Sequence, residues 1–252
     1  KMPGLDLYYA ADTCFAAKAL GERGPLYRLL PRTKQYLAHE AAVFGADSKT
    51  HCLMISRPEM AIYQRHYNTQ LKRLHILPPG IRRDRVAPED YEQQRQKLRQ
   101  KYGLKQSQKL LLMVGSDFKR KGLDRALQGL AALPPSISGR TSLWVAGQDK
   151  AEPYGKLAAS LGVDKQLRIL GARDDISQLM WAADAFLHPA YSENTGTVIL
   201  EAMVAGLPVV CTSVCGYASY VETRAMGEVL QAPVTGQKTA AVFKPAFFAA
   251  LN

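Results

Sequence analysis

Two glutamates, Glu193 and Glu201, stand eight positions apart in the stretch HPAYSENTGTVILEAMVAGLPVV, residues 188–210. The pattern reads as a strand end, a loop, a helix starting near Thr195, Gly196 and Thr197, and a second buried strand. The unbonded N–H groups at a helix N-terminus favour an anion, and Gly196 permits close approach. Glu193, just outside the helix, can reach sugar hydroxyls beside such an anion. Glu201, more than one turn inside, can accept hydrogen bonds from a ribose diol. The spacing therefore suits a phosphate flanked by two polyols, as in a nucleotide sugar. The plainer alternative has Glu193 near an N-cap and Glu201 on a solvated helix face. Against it, Glu201 is followed by Ala-Met-Val-Ala-Gly, and a carboxylate on so apolar a helix needs partners.

A second group lies in VGSDFKRKGLDRAL, residues 114–127. A strand ends at Gly115, and Lys119, Arg120 and Lys121 follow in what reads as a loop before a helix. A guanidinium forms bidentate hydrogen bonds to phosphate and an ammonium adds a mobile point charge. At a strand's carboxyl end they can replace a metal on a leaving diphosphate; a solvated basic turn is the equal alternative. Other phosphate devices are missing from the sequence: no G-x-x-x-x-G-K-[ST], no G-x-G-x-x-G and no Asp-x-Asp. Cys211 and Cys215 form C-x3-C without a second Cys/His pair nearby, so they and Cys14 and Cys52 read as reduced thiols. His39, His51, His66 and His75 show no ligand spacing. His188 either lines the site or makes a structural hydrogen bond. Trp144 and Trp181 read as core.

The elements that must position these residues alternate cleanly in the second part of the chain. Apolar runs at 110–114, 143–146, 167–170, 185–188 and 208–212 predict strands. Helical patterns fall at 121–133, 153–161, 174–182 and 195–205, with a charged helix at 97–109 leading into the first strand. Continuously apolar strands predict a sheet buried on both faces, and repeated βα units predict an open parallel sheet of the α/β class. Ligands of such sheets sit at the carboxyl ends of the strands, where Gly115, Gly147, Gly171 and His188-Pro189 fall. The first part predicts a strand at 5–12, a helix over 25–48 that breaks or restarts at Pro31, a strand at 51–56, a helix at 57–67 and a strand at 74–80 closing on Pro-Pro-Gly. That ending is hinge punctuation.

The 252 residues are 47% hydrophobic with a formal net charge of +11, a globular composition that favours an anionic partner. No apolar run reaches the ~18 residues of a membrane span. The basic residues are dispersed and no RNA-binding motif is present, so nucleic acid is not the expected partner.

E-x7-E followed by EAMVAGLPVV resembles the family 4 retaining glycosyltransferases, which have the GT-B fold, an α/β architecture of two Rossmann-like domains. KMPGLDLYYAADTC, ILPPGI, VGSDFKRKGLDR, VAGQDK and VCGYA are similar to members that glucosylate the lipopolysaccharide core, and the similarity runs to about Glu222. The resemblance implies that 1–77 is the latter part of an N-terminal acceptor-binding domain, incomplete at its start. It makes 78–235 the nucleotide-sugar-binding domain and 236–252 a divergent tail. It implies retaining transfer of glucose from UDP-glucose to the inner-core heptose of a heptosylated lipid A core acceptor. No metal or other cofactor is implied, and the place of action is the cytoplasmic face of the inner membrane. Carried over, Arg120 and Lys121 match the diphosphate-binding pair, Glu193 the glutamate associated with the donor sugar and Glu201 the one associated with ribose. Gly196 and Thr197 match the phosphate-facing helix start, Ala172 and Arg173 the segment whose backbone holds uracil, and Gly115 joins the substrate-binding set at its strand end. Asn194 and Thr195 replace smaller residues, which could shift donor choice. Asp6 matches a cleft-facing position of the first domain or caps a turn.

Residues 25–44, opening on Pro25, mix Tyr27, Leu29, Leu30, Tyr36, Leu37 and Phe44 with Arg28, Arg32 and Lys34. Basic-aromatic amphipathic helices bind anionic membrane surfaces; an ordinary helix packing its apolar stripe on a sheet is the alternative. Two other functions compete with transfer. One is a UDP-sugar-holding protein that transfers nothing. The other is an epimerase of the same fold, which needs further carboxylates and histidines that the sequence does not place.

Overall fold

In the computed structural model, which describes residues 2, 4–21, 23 and 25–231, the short apolar runs become the strands of two parallel sheets. The expected tail at 236–252 lies outside the described residues. The chain divides into two compact units, residues 1–80 and 81–252.

The first unit runs β1 (Leu7–Ala10), α1 (Phe15–Gly21), a 3-10 turn (Pro25–Leu29), α2 (Pro31–Phe44), β2 (His51–Met54), α3 (Arg57–Tyr67) and β3 (Leu74–Ile76). The sheet order is β1-β2-β3, all parallel. Pro31 restarts the helix at its first position, where a missing N–H costs nothing. Phe44 stacks on Tyr63 with ring centroids 3.8 Å apart, inside a core with Val43, Cys52 and Met54. Two buried charges brace this core. Glu40 accepts from the Phe15 and Ala16 N–H groups at 2.9 and 2.8 Å and from the Tyr67 hydroxyl at 2.9 Å. Arg73 donates to the Val43, Phe44, Gly45 and Thr50 carbonyls around the end of α2.

Both readings of residues 25–44 have a counterpart here. Thr33, Glu40, Val43 and Phe44 are buried, while Leu26, Leu29, Leu30 and Tyr36 are exposed. The Arg23 and Arg32 guanidinium groups lie 4.6 and 5.5 Å from the Tyr27 and Tyr36 ring centres. Asp6 stands exposed just before β1, at the amino edge of its sheet, where its carbonyl accepts from the His51 N–H at 2.8 Å. That is the edge opposite the one where open α/β sheets bind ligands, so the cleft-facing expectation for Asp6 is not supported by its position.

The second unit runs a 3-10 turn (Arg83–Arg85), α4 (Tyr91–Lys101), β4 (Lys109–Val114), α5 (Phe118–Lys121), α6 (Leu123–Ala131), α7 (Pro135–Ser138), β5 (Thr141–Ala146), α8 (Glu152–Ser160), β6 (Leu167–Gly171), α9 (Ile176–Ala182), β7 (Ala185–His188), α10 (Thr197–Val204), β8 (Val209–Thr212), α11 (Ala218–Thr223) and β9 (Gly227–Leu230). The six strands pair in the order β6-β5-β4-β7-β8-β9, all parallel. β4, β7 and β8 are buried almost throughout, as a sheet covered on both faces requires. The winding reverses between β4 and β7. That reversal is the topological switch point, and the crevice outside the carboxyl ends there is where doubly wound sheets bind nucleotides.

Three expectations change. Arg120 and Lys121 do not lie in a loop. They occupy the single turn of α5, and the expected helix over 121–133 is broken at Gly122, whose φ is +78°. A Cβ there would meet the Pro189 carbonyl oxygen at 2.1 Å, so only glycine lets α5 close against the strand β7 exit. The charged helix runs over Tyr91–Lys101 rather than 97–109, because the chain turns at Gly103 with φ +69°. The edge strand β9 was not foreseen.

Candidate functional site

The two loops that leave the switch point bring the predicted residues together. Asp117, in the left-handed region at φ 61°, caps α5 and accepts from the Arg120 N–H at 3.2 Å. Its carboxylate also takes the Arg120 Nε at 2.8 Å, and that hydrogen bond holds the Asp117 carboxyl below the usual range. The Phe118 N–H donates to Asp149 at 2.7 Å, tying α5 to the loop after β5. On the other side, the Tyr191 N–H donates to the Arg120 carbonyl at 2.8 Å. Arg125 is buried, donates to the Pro189 and Ala190 carbonyls, and lies 3.5 Å from the Tyr191 ring centre.

Glu193 is the focus. Its Oε2 accepts from Lys121 Nζ, from Arg120 Nη1 at 3.4 Å and from His188 Nε2 at 3.2 Å. Lys121 and Glu193 side chains are 14% and 11% exposed, against 41% for Arg120. Burial works against the charged carboxylate, but the hydrogen bonds of His188 and Lys121 and the nearby positive charge outweigh it and bring Glu193 down to about 2. Burial lowers His188 from its ordinary value, with the hydrogen bond to Glu193 pulling the other way. The site is therefore a fixed anion facing two cations, with a neutral imidazole beneath. A hollow of about 380 Å³, lined by Asp117, Lys119, Arg120, Asp124 and Tyr191, opens beside it.

Gly196, at φ +79°, immediately precedes α10, and no side chain caps that helix. A Cβ at Gly196 would lie 3.3 Å from the Glu193 side chain and 2.9 Å from Ile199, so glycine keeps Glu193 and the helix start close. Thr197 is exposed at the first position, and Asn194 and Thr195 are half-buried in the turn before it. The Thr195 carbonyl accepts from the Tyr217 N–H at 2.9 Å. Glu201 sits one turn in and faces Arg85, with Nε to Oε1 at 3.7 Å; Arg85 also donates to Ser177 at 2.9 Å. Gly115 adjoins the Lys121 stem, and its N–H donates to the Ala146 carbonyl at 2.8 Å. Ala172 and Arg173 follow β6, exposed, with Arg173 paired to Asp175 at 2.6 Å.

All predicted site residues of this unit thus fall on the carboxyl side of one sheet. Arg85, Asp117 and the Arg125–Tyr191 pair were missed. Asp117 carried a readable signal, an Asp directly before a helical turn. Arg85 carried none, since its partner is remote in sequence. Among the described residues no group of three or more His, Cys, Asp or Glu is placed to hold a metal ion. No helix among them is long and apolar enough to cross a membrane. All four cysteines are buried and none forms a disulfide.

A doubly wound sheet with an anion-ready switch point is a nucleotide-binding layout, and the chain belongs to the glycosyl transferases group 1, whose family model matches residues 94–241. The fold class is GT-B. The chain is 47% identical over 246 residues to the lipopolysaccharide glucosyltransferase WaaG of Escherichia coli (strain K12), covering 98% of this chain and 66% of that protein. A crystal structure of WaaG, a glycosyltransferase involved in lipopolysaccharide biosynthesis, superposes with a TM-score of 0.88 at 45% identity, covering 100% of this chain and 68% of that one. D-inositol 3-phosphate glycosyltransferase of Streptomyces scabiei (strain 87.22) is 31% identical over 178 residues, 66% of this chain and 39% of that protein. HepE of Anabaena, in complex with UDP-glucose, shares the fold at TM-score 0.71 and 21% identity, over 94% of this chain and 61% of that one. The chain thus spans just under two thirds of the length of the first of these relatives.

Proposed function

We propose that this chain belongs to an enzyme that transfers glucose, with retention and without a metal, from UDP-glucose to a heptose of a heptosylated lipopolysaccharide core acceptor. The observation that carries the reading is the Glu193 cluster at the switch point, in a chain 47% identical to a lipopolysaccharide glucosyltransferase. Lys121, Arg120 and the uncapped start of α10 at Gly196 and Thr197 receive the donor diphosphate. There they stabilise the charge that develops as UDP leaves, which is electrostatic catalysis at the reacting bond. Glu193 orients the glucosyl hydroxyls. Glu201, steadied by Arg85, accepts from the ribose diol, and the backbone at Ala172 and Arg173 meets the uracil. Asn194 and Thr195 line the sugar side and tune donor choice. Asp6 is left out because it stands at the amino edge of its sheet.

Calorimetry of UDP and UDP-glucose, with and without a chelator, tests the donor half. Equal binding in both conditions is expected, and binding abolished by the chelator overturns the metal-free reading. Transfer to a heptosylated lipid acceptor tests the rest, and binding without transfer leaves the chain a UDP-sugar-holding protein. The protein works on the cytoplasmic face of the inner membrane. The exposed Leu26, Leu29, Leu30 and Tyr36, set among arginines, meet anionic lipid there. Vesicle sedimentation should show binding that falls as salt rises, because exposed attractions are screened over ~10 Å at 0.1 M. Equal binding to neutral vesicles removes the electrostatic part.

A further inference from the structure

The Glu193 carboxylate has three donors, and they are not equivalent. Lys121 and Arg120 are cations on α5, and Arg120 also lines the hollow beside it. In the proposed reaction these two also bind the diphosphate. A cation that turns toward phosphate loosens its hold on Glu193 at the moment the glucosyl group needs that carboxylate aimed. His188 is different. It is the last residue of β7 and only 1% exposed. Its ring lies parallel to Phe186, with centroids 6.0 Å apart, and its carbonyl accepts from the Cys215 thiol. The strand, the ring contact and the closed surroundings leave the imidazole nowhere to move. A neutral imidazole also offers no charge to draw it to the phosphates. To donate to Glu193 it must carry its proton on Nε2.

Resting on the function proposed above, we infer that His188 is the positioning residue for Glu193, holding the carboxylate on the donor sugar while Lys121 and Arg120 are drawn to the diphosphate. The proton stays on Nε2 throughout, so His188 takes no part in proton transfer. Its effect belongs to the sugar and not to UDP.

Calorimetry on His188→Phe and His188→Gln, each with UDP and with UDP-glucose, separates these contributions. His188→Phe should leave UDP affinity within about twofold and weaken UDP-glucose about tenfold, the worth of a hydrogen bond to a charged group. His188→Gln, which keeps a donor N–H, should recover most of that loss. Equal weakening of both ligands in His188→Phe would mark a purely structural role and overturn the inference, as would a Gln variant no better than Phe. Nitrogen NMR on the unmodified chain gives a reading that needs no variant to fold: the Nε2–H tautomer should persist in the UDP complex, and an Nδ1–H tautomer there sinks the idea. If the unmodified chain binds no UDP at all, the proposed function itself fails, and that result appears before any variant is made.

Discussion

The sheet of the second unit carries a clamped carboxylate at each edge. At the amino edge, Asp184 is paired with Arg95 at 2.9 Å, Arg99 at 3.1 Å and Lys109 at 3.8 Å, and it accepts from the Leu110 N–H at 2.7 Å. At the carboxyl edge, Glu193 is paired with Lys121, Arg120 and His188. By burial the two look alike, and each faces at least two cations. They differ in where the cations spend their other donors. Arg95 and Arg99 also donate to the carbonyls of Trp181, Ala182, Ala183, Lys105 and Gln108. Those are fixed backbone groups, so the arginines lock α4 to the end of α9. Around Glu193 the cations reach, among the described residues, a single backbone acceptor, Ser192, at 3.2 Å from Arg120, and Arg120 is half-exposed. A charge cluster is scaffold when its donors end on rigid carbonyls. It is a candidate site when they end on another side chain that a ligand can replace.

The largest effect expected from that contrast is on stability. Asp184→Ala takes the carboxylate from the buried Arg99 and the half-buried Arg95 guanidinium groups and should cost about 3–5 kcal/mol, the usual penalty for breaking a buried pair. Below its lowered melting temperature the variant should bind UDP within about threefold of the unmodified chain. Thermal unfolding with calorimetry checks both. A loss under ~1 kcal/mol, or UDP binding that collapses while the fold holds, breaks the distinction.

Lys121→Ala should show the reverse. It removes one cation from a carboxylate that keeps Arg120 and His188, so the stability loss should be about 1 kcal/mol. UDP affinity should fall about tenfold to a hundredfold, because a charge-assisted bond to phosphate is lost. A variant as destabilised as Asp184→Ala and unaltered in UDP affinity would make Lys121 scaffold, part of a basic turn that binds no phosphate.

Much of this contrast was legible in the sequence because its elements are. Continuous apolar runs mark β4, β5, β7 and β8, and their carboxyl ends mark where a ligand belongs. The comparison with relatives bears out the GT-B fold read from E-x7-E and its neighbours. What escaped was tertiary. Gly-Glu-Val-Leu of β9 is a four-residue edge strand with its first two residues exposed, too short and too polar to stand out. The break at Gly122 depends on the approach of Pro189, which no local pattern reveals. That Lys121 and Arg120 would meet Glu193 was also hidden: both were read as facing phosphate, and a side chain standing in the same place has no signature in spacing. Asp184 gave no signal at all, since its partners come from α4 and β4.

The smallest effect sharpens the contrast most. Replacing Glu193 by Gln keeps the shape and removes the charge that competes with phosphate for Lys121 and Arg120. In the ligand-free chain those cations lose their counter-ion; in the UDP complex they gain another. The substitution should therefore tighten UDP about threefold, a gain of under ~1 kcal/mol, while it weakens UDP-glucose, whose hydroxyls lose a charged acceptor. The same charge leaves a mark in acid. Glu193 is held down to about 2 from its ordinary 4.5, burial being outweighed by its hydrogen bonds to His188 and Lys121. A carboxyl whose folded value is depressed contributes stability that is present above its unfolded value and is lost as pH falls through the folded one. The unmodified chain should lose that contribution as pH drops from about 4.5 toward 2, and Glu193→Gln should show a flatter acid limb over the same window. Weaker UDP binding in Glu193→Gln would mean that the carboxylate organises its cations instead of competing for them, and the carboxyl edge would then be as fixed as the amino edge.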